Sequence, residues 1–200
     1  ALAGLAPDEW VVCSGSFPPG VGPDAVASLT ARVADAGGRL ALDTGPGWLT
    51  AALAGSARPA LISPNLAEAE SILSGRIAPE PTSVESDALD RAVVAARGLR
   101  ALGVPSVVVT AGSAGLAWAD PEGSGTLAGL SVAVRNPIGA GDACLGGLVA
   151  RLEQGMPFAD AVRWGMATSA AAIEQFSPGA AEAGRVLVHH QAITAAATGA

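Results

Sequence analysis

The 200-residue sequence contains no lysine and no tyrosine, and it has only two cysteines. Because every basic side chain is an arginine, the phosphate-binding loop that ends in Gly-Lys-Ser/Thr is excluded. Cys13 and Cys144 are too few for a disulfide scaffold and have no Cys-x-x-Cys spacing, which favours a reducing compartment, of which the cytoplasm is the simplest. No apolar run is long enough to span a membrane, and the start lacks the basic flank of a signal peptide.

Acidic residues outnumber basic ones, giving a formal net charge of −7 and a pI of about 4.7. A nucleic-acid surface requires a basic patch, so we expect neither nucleic acid nor membrane among the partners. Half of the residues are hydrophobic, enough to bury a sizeable core within one domain over 1–200. An apolar strand follows the opening residues almost directly, so we expect the sequence to begin within a longer protein.

Short β-rich runs alternate with segments of helical periodicity, which predicts an α/β fold with a mostly parallel sheet flanked by helices. After Thr110 the pattern becomes antiparallel, and the turn-rich segment 120–125 predicts a hairpin. One helix is well marked, with Ser83 as its N-cap and Gly103 at its end. The predicted strands are 10–13, 40–43, 60–63, 106–110, 115–119 and 126–134, the last with an apolar stretch at 130–134. The predicted helices are 24–36, 48–54, 66–73, 84–102, 140–153, 157–174 and 180–196.

The segment 136–147, Asn-Pro-Ile-Gly-Ala-Gly-Asp-Ala-Cys-Leu-Gly-Gly, stands where a predicted strand gives way to a long helix. The start of a helix offers unpaired N–H groups and a partial positive charge, which together bind phosphate. Gly139 and Gly141 carry no Cβ that would keep a phosphoryl group from this backbone. Asp142 lies where it could take a proton from an attacking hydroxyl. A structural interpretation stands beside this one, since an acid in a first turn stabilises the helix by about 0.3–1 kcal/mol.

This segment resembles the carboxy-terminal signature of the ribokinase-like, or PfkB, sugar kinases, usually written Thr-x-Gly-Ala-Gly-Asp. The resemblance implies a Rossmann-like, three-layer αβα fold of the ribokinase type. It also implies that Gly139, Ala140 and Gly141 form an anion hole and that Asp142 is the catalytic base. Pro137 stands where the family usually has Thr, a departure in the preceding loop that leaves the base in place.

Ser14-Gly15-Ser16-Phe17-Pro18-Pro19-Gly20 follows the first predicted strand. On composition it is an ordinary strand-to-helix loop, in which prolines could hold the hydroxyls of Ser14 and Ser16 towards a ligand. It resembles a segment near the sugar site of the branch that contains 1-phosphofructokinases and tagatose-6-phosphate kinases. Leu-Asp-Thr-Gly-Pro at 42–46 resembles a second segment of that branch. The resemblance therefore makes Ser14 and Ser16, with Asp142, candidates for substrate binding.

Ser63-Pro64-Asn65-Leu66-Ala67-Glu68 has the spacing of a capping box, in which Asn65 and Glu68 bond reciprocally at a helix start. The family has Lys-Pro-Asn-x-x-Glu here, and its Asn and Glu help to organise magnesium. The resemblance thus implies Asn65 and Glu68 as metal-organising residues, a role compatible with the cap. Ser63 replaces the usual Lys, so a charge contact of the family is expected to be missing.

Thr110-Ala111-Gly112-Ser113-Ala114-Gly115 follows the most hydrophobic predicted strand, and its spacing also fits a plain tight turn. In the family this turn contacts the nucleotide phosphates. The resemblance therefore implies an ATP site with the following residues: Thr110, Gly112, Ser113, Gly115, Gly141 and Asp142.

The resemblance covers nearly the whole chain but only the carboxy-terminal part of a PfkB kinase, since the family's amino-terminal portion, with its sugar-binding Asp and lid, has no counterpart here. It implies ATP and Mg²⁺, with a monovalent cation such as K⁺ also open, a sugar-phosphate substrate, and a full-length homodimer formed through the lid. Three functions remain open. They are a phosphosugar kinase most like 1-phosphofructokinase, another kinase of this fold acting on tagatose 6-phosphate, ribose or a nucleoside, and a non-catalytic nucleotide-binding remnant.

Overall fold

The computed structural model describes residues 4–76 and 86–198. Within these ranges the elements alternate as the sequence predicts, with strands followed by helices up to the fourth strand. The strands are β1 (Trp10–Ser14), β2 (Arg39–Asp43), β3 (Leu61–Ile62), β4 (Ser106–Thr110), β5 (Gly115–Asp120) and β6 (Gly123–Ala128). The helices are α1 (Pro23–Asp35), α2 (Pro46–Ala54), α3 (Leu66–Ser74), α4 (Ala88–Ala101), α5 (Ala140–Leu152), α6 (Phe158–Ile173) and α7 (Ala183–Thr198).

The six strands form one sheet in the order β1-β2-β3-β4-β5-β6. The first four are parallel, while β5 and β6 join antiparallel, so the predicted mostly parallel sheet is confirmed. Ser14 pairs with Asp43 in the register of β1 and β2. Since both residues stand at the carboxyl ends of parallel strands, the loops after them meet at one edge of the sheet, where α/β folds bind ligands.

Helices cover both faces of the sheet, which gives the three-layer αβα arrangement predicted for this chain. One core contains α1 to α4 with inward residues of the strands such as Leu42 and Val107. The other core contains α5, α6 and Ile193 of α7, packed on the opposite strand residues such as Ala41 and Val108. Because side chains alternate across a strand, neighbouring strand residues enter different cores.

The hairpin is shifted relative to its prediction. β5 and β6 run up to a two-residue turn, with Asp120 Oδ1 accepting hydrogen bonds from the N–H groups of Glu122 and Gly123. The predicted strand 126–134 is wrong beyond Ala128, and its apolar stretch 130–134 is not a strand. The reason is that β5 begins at Gly115, opposite Ala128, so residues further along have no partner strand. The segment 129–134, called the wall, has no regular secondary structure.

The other boundaries agree within a few residues, as helix ends usually do. For α4 the described helix begins at Ala88, and the predicted N-cap Ser83 lies outside the described residues.

Near the carboxyl end of the chain, Arg185 of α7 donates two hydrogen bonds to Glu174, just after α6, and the buried ring of His189 contacts the same carboxylate. These partners hold the pKa of Glu174 down at about 2, chiefly through the hydrogen bond from Arg185.

Among the described residues, no helix combines the length and apolar character needed to cross a bilayer.

Candidate active site

The N-cap of α5 is a glycine, and the start of this helix is accessible to an anion. Gly139, the N-cap, has φ of +81°, a left-handed conformation that glycine adopts readily, and it offers no side-chain acceptor to the first turn. A Cβ on Gly139 would lie 2.8 Å from the backbone nitrogen of Gly179, so the position also requires the absence of a side chain. The amides of Gly141 and Asp142 lie in the first turn, where N–H groups lack intrahelical partners, while the amide of Ala140 donates to the carbonyl of Pro137 at 3.2 Å.

A cleft of about 670 Å³ lies between this helix start, the turn after β4 and the wall 129–134. Its size is that of a small-molecule site, for which about 300–1,000 Å³ is typical. Its inner wall is apolar, with Leu116, Met166, Ala170 and Ile173 among its residues. Six residues predicted for the nucleotide site or the anion hole line the cleft: Thr110, Gly112, Ser113, Gly115, Ala140 and Gly141.

The turn after β4 uses its two glycines for different reasons. Gly115 has φ of +121°, and a Cβ there would overlap the backbone of Leu127 and Gly129, so this glycine is required by the packing of the hairpin. Gly112 has φ of +57° and only open space around the position of a Cβ. It therefore leaves room for a ligand to approach the backbone of the single 3₁₀ turn Gly112–Ala114.

Asp142 is exposed at the third helical position of α5, next to the cleft. Its Oδ1 accepts a hydrogen bond from the hydroxyl of Ser14, at the carboxyl end of β1. The structure thus brings Ser14 to Asp142, while Ser16 is exposed two residues further along the same loop. Ser14 therefore contacts the predicted base itself, a relation that the loop sequence did not indicate.

Asp43, at the end of β2, is a site residue that sequence reasoning missed. Its Oδ2 lies 3.1 Å from where a Cβ of Gly141 would be, so it packs against the start of α5. Burial, together with the nearby charges of Glu68 and Asp142, raises the pKa of Asp43 to about 7, and a smaller contribution from the Ser14 hydroxyl lowers it. The sequence offered one signal for Asp43. It ends a predicted strand within the segment 42–46, which resembles the kinase branch, and Ser14 follows the end of another predicted strand.

Asn65 and Glu68 form the capping box that their spacing predicted. Asn65 Oδ1 accepts from the N–H of Glu68, and Glu68 Oε2 accepts from the N–H of Asn65, each at 2.9 Å. Asn65 also bridges to Thr110, which links the start of α3 to the nucleotide-site turn. Within 4–76 and 86–198, no cluster of three or more His, Cys, Asp or Glu side chains is arranged to hold a metal ion.

Ser63, just before the capping box, and Cys144 of α5 are two further buried residues of this region. Ser63 is 3% exposed, and its buried hydroxyl has no hydrogen-bond partner in the described structure. Cys144 lines the cleft, and burial, with a smaller contribution from the charge of Asp43, raises the pKa of its thiol to about 12. This thiol therefore stays protonated and is a poor nucleophile at neutral pH.

Comparison with known proteins identifies the family. A family model described as pfkB family carbohydrate kinase matches residues 3–183. The chain belongs to this family. Its curated relatives include the 1-phosphofructokinase of Rhodobacter capsulatus, 36% identical over 174 residues, and that of Escherichia coli K12, 32% identical over 179 residues. These matches cover 85% and 90% of this chain.

The pfkB fold is also seen in the solved relatives. The crystal structure of phosphofructokinase-2 from Escherichia coli in complex with potassium superposes with a TM-score of 0.79 at 25% identity, over 94% of this chain. This chain spans about half the length of the curated relatives, 50% for the R. capsulatus protein and 54% for the E. coli protein. It spans 58% of the crystallised phosphofructokinase-2 chain.

Proposed function

We propose that this chain contributes the phosphoryl-transfer site of an ATP-dependent kinase that phosphorylates a hydroxyl of a sugar phosphate. The proposed reaction is that of a 1-phosphofructokinase, in which ATP and fructose 1-phosphate give ADP and fructose 1,6-bisphosphate. The observation that carries the proposal is the position of Asp142, in the first turn of α5, directly beside the cleft that Gly141 lines. The relatives named 1-phosphofructokinase support the choice of substrate class.

The proposed step requires little covalent chemistry from the protein. The acceptor oxygen attacks the γ-phosphorus, its O–H proton passes to a carboxylate oxygen of Asp142, and the bond from the γ-phosphorus to the β–γ bridging oxygen breaks to release ADP. The amides of Gly141 and Asp142 would stabilise the negative charge on the transferred group, because the start of a helix favours anions. Positioning and electrostatics supply most of the catalysis in such reactions.

The cleft fits ATP in its volume and in the distribution of its residues. Apolar residues of α6 and the wall 129–134 suit a nucleobase, while the open space at Gly112 and the amides at the start of α5 suit phosphates. Mg²⁺ usually binds through one or two carboxylates together with substrate phosphates and water, so a single acid such as Glu68 near the phosphates is a suitable partner. We assign Asn65 and Glu68 to this role and leave a monovalent cation as a further requirement to be tested.

The base is tested with Asp142→Asn in the product of the complete gene. Loss of a general base typically lowers the rate by about 10²–10⁴-fold, so we expect that loss in kcat with little change in folding. Asp24→Asn is the matched control, because Asp24 is an acid in the first turn of α1. Near-normal turnover of Asp142→Asn on fructose 1-phosphate would refute the assignment. Tagatose 6-phosphate, ribose and a nucleoside serve as alternative acceptors in the same assay.

The nucleotide site is tested by filling the cleft from α6. Ser169 lines the cleft, and Ser169→Trp should weaken Mg·ATP binding at least tenfold by occupying space next to the apolar wall. Ser56→Trp, at an exposed position after α2, is the control. Calorimetric titration of both variants measures the change, and equal affinities would remove this cleft from the nucleotide site.

Assembly and location belong to the same proposal. We propose a cytoplasmic location, which suits the two free cysteines, and a homodimer for the complete protein. Light scattering on the product of the complete gene tests the dimer. Absence of kinase activity in that product with every acceptor, together with retained ATP binding, would instead favour a nucleotide-binding protein without catalysis.

A further inference from the structure

The side chain of Asn136 joins two segments that border the start of α5. Its Nδ2 donates to the carbonyl of Phe176 at 2.9 Å, and its Oδ1 accepts from the N–H of Ile138 at 3.0 Å. Phe176 lies 40 positions further along the chain, in the loop between α6 and α7. One amide group therefore shapes the short turn before α5 and ties that turn to a distant loop.

Backbone contacts hold the same two segments together on either side of this amide. The N–H groups of Arg135 and Asn136 both donate to the carbonyl of Ile173, at 2.7 and 3.1 Å. Gly139 approaches Gly179 so closely that a Cβ on Gly139 would lie 2.8 Å from the Gly179 nitrogen. Asn136 stands between these two contacts, so its side chain completes the connection between the segments.

The loop after α6 is itself anchored to α7. Glu174 accepts two hydrogen bonds from Arg185, at 2.7 and 2.8 Å, and contacts the buried ring of His189. The ring of Phe176 is 75% exposed and lies beside the guanidinium of Arg135, so the hydrophobic core does not hold it. The position of this loop therefore depends on its polar contacts, of which the bond from Asn136 is one.

The turn that Asn136 shapes leads directly into the anion-binding start of α5. Pro137 lines the cleft, and its carbonyl accepts the N–H of Ala140, the first residue of the helix, at 3.2 Å. The amides of Gly141 and Asp142 follow at once, so a shift of the turn would shift them too. A misplacement of about 1 Å can cost about 10²-fold in rate even when the altered residue is remote from the chemistry.

We propose that Asn136 is a positioning residue for phosphoryl transfer. By bonding to both Ile138 and Phe176, it sets where the amides of Gly141 and Asp142 stand relative to the opposite wall of the cleft. Asn136 is not among the residues that line the cleft, so it acts through the turn and not on the ligand. The proposal rests on the function proposed above for the start of α5.

Two substitutions separate the two bonds of this amide. Asn136→Asp keeps the shape and the acceptor for Ile138 but has no donor for the Phe176 carbonyl, whereas Asn136→Ala loses both bonds and adds no charge. In the product of the complete gene we expect both to lower kcat about tenfold or more, with the KM for ATP within about threefold, because charge in the transition state requires well-placed donors. Near-normal kcat in Asn136→Asp would show that the bond to Phe176 is unimportant and would overturn the proposal.

The control is another side-chain amide on a part of α5 remote from the cleft. Gln154, just after α5, is exposed and accepts a hydrogen bond from Arg151, and Gln154→Ala should leave kcat unchanged. Each kcat is divided by the concentration of ATP-binding sites from calorimetric titration. A partly unfolded variant then cannot imitate a loss of positioning.

A measurement without turnover separates this proposal from the proposed function. The 200-residue sequence has two asparagines, Asn65 and Asn136, so ¹⁵N-asparagine labelling gives two side-chain NH₂ signals. The Asn136 signal, identified by its loss in Asn136→Ala, should exchange with solvent more slowly than a free amide, because one N–H is bonded to Phe176. In a uniformly labelled chain, Asn136→Asp should move the backbone amide resonances of Gly141 and Asp142.

These spectra would support the link between the two loops even if no acceptor were phosphorylated. An Asn136 side chain that exchanges as fast as a free amide would overturn the proposal whatever the kinetics. Resonances of Gly141 and Asp142 that ignore Asn136→Asp would overturn it as well.

Discussion

At the scale of single residues, the site depends on acids whose charges repel each other. The ionised form of Asp43 is disfavoured, because burial and two neighbouring acids raise its pKa to about 7. A folded-state pKa above the unfolded value means that the native state holds the proton more tightly. The contribution of Asp43 to stability is therefore complete below about pH 4 and decreases as the pH rises to about 7.

Asp43→Asn removes this titration and should become progressively more stable than the wild type between pH 4 and pH 8. The gain at pH 8 should be on the order of 2–4 kcal/mol, since one pKa unit corresponds to about 1.4 kcal/mol. Thermal unfolding of both proteins at several pH values measures the difference. Asp35→Asn is the control for removing a carboxyl from an exposed helix end, and a flat difference for Asp43→Asn would mean that Asp43 is ionised in the folded protein.

At the scale of elements, the helix that carries Asp142 is positioned by close packing against α6. A Cβ on Gly147 of α5 would overlap Thr168 of α6, and a Cβ on Gly165 of α6 would lie 2.8 Å from the carbonyl oxygen of Cys144. Small residues on both helices let their backbones approach. Gly146, the neighbour of Gly147, faces open space.

The adjacent glycines of α5 give a matched pair of substitutions with opposite signs. Gly147→Ala should destabilise the protein by about 1–3 kcal/mol, because overpacking must push α5 and α6 apart. Gly146→Ala should stabilise it by about 0.5–1 kcal/mol, because alanine favours a helix interior and meets no neighbour here. Chemical denaturation of the two variants measures both. Equal effects at the two positions would contradict the packing described for this helix pair.

At the scale of the whole molecule, the chain holds a cleft and a candidate base but spans only 50% of the R. capsulatus and 54% of the E. coli 1-phosphofructokinase. Phosphoryl transfer requires an acceptor hydroxyl held in line, at about 3–3.5 Å from the reacting atom. Positioning of this kind can account for roughly 7–11 kcal/mol of a barrier. An intact base cannot compensate for an acceptor that is not held.

We therefore predict that the 200-residue chain alone binds Mg·ATP weakly and phosphorylates fructose 1-phosphate at least about 10³-fold more slowly than the product of the complete gene, because positioning is lost. Slow ATP hydrolysis can persist, since water needs no sugar site. A coupled assay for ADP release, with and without the sugar phosphate, distinguishes the two activities. Turnover of fructose 1-phosphate by the isolated chain at the rate of a complete kinase would place the acceptor site within these residues.

Local sequence predicted the parts of the fold that local physics decides. The apolar runs of β1 to β4 and the helical periodicity of α1 to α7 can be recognised in the sequence because the parallel strands are covered on both faces and each helix buries one face. The capping box of Asn65 and Glu68 and the glycine start of α5 involve residues at most a few positions apart. The resemblance to a kinase family likewise rested on short segments, and the family match over residues 3–183 confirmed it.

The tertiary structure decided what depends on partners distant in the chain. The stretch 130–134 has the composition of a strand, yet it lines the cleft. The pairing of β5 with β6 stops at Gly115 and Ala128, so this stretch has no strand beside it. Ser14 meets Asp142 across 128 positions, and Asp43 joins them only because β1 and β2 pair in a register that aligns their ends. No local pattern encodes such a meeting, since it follows from how the sheet orders its strands and how closely α5 packs on them.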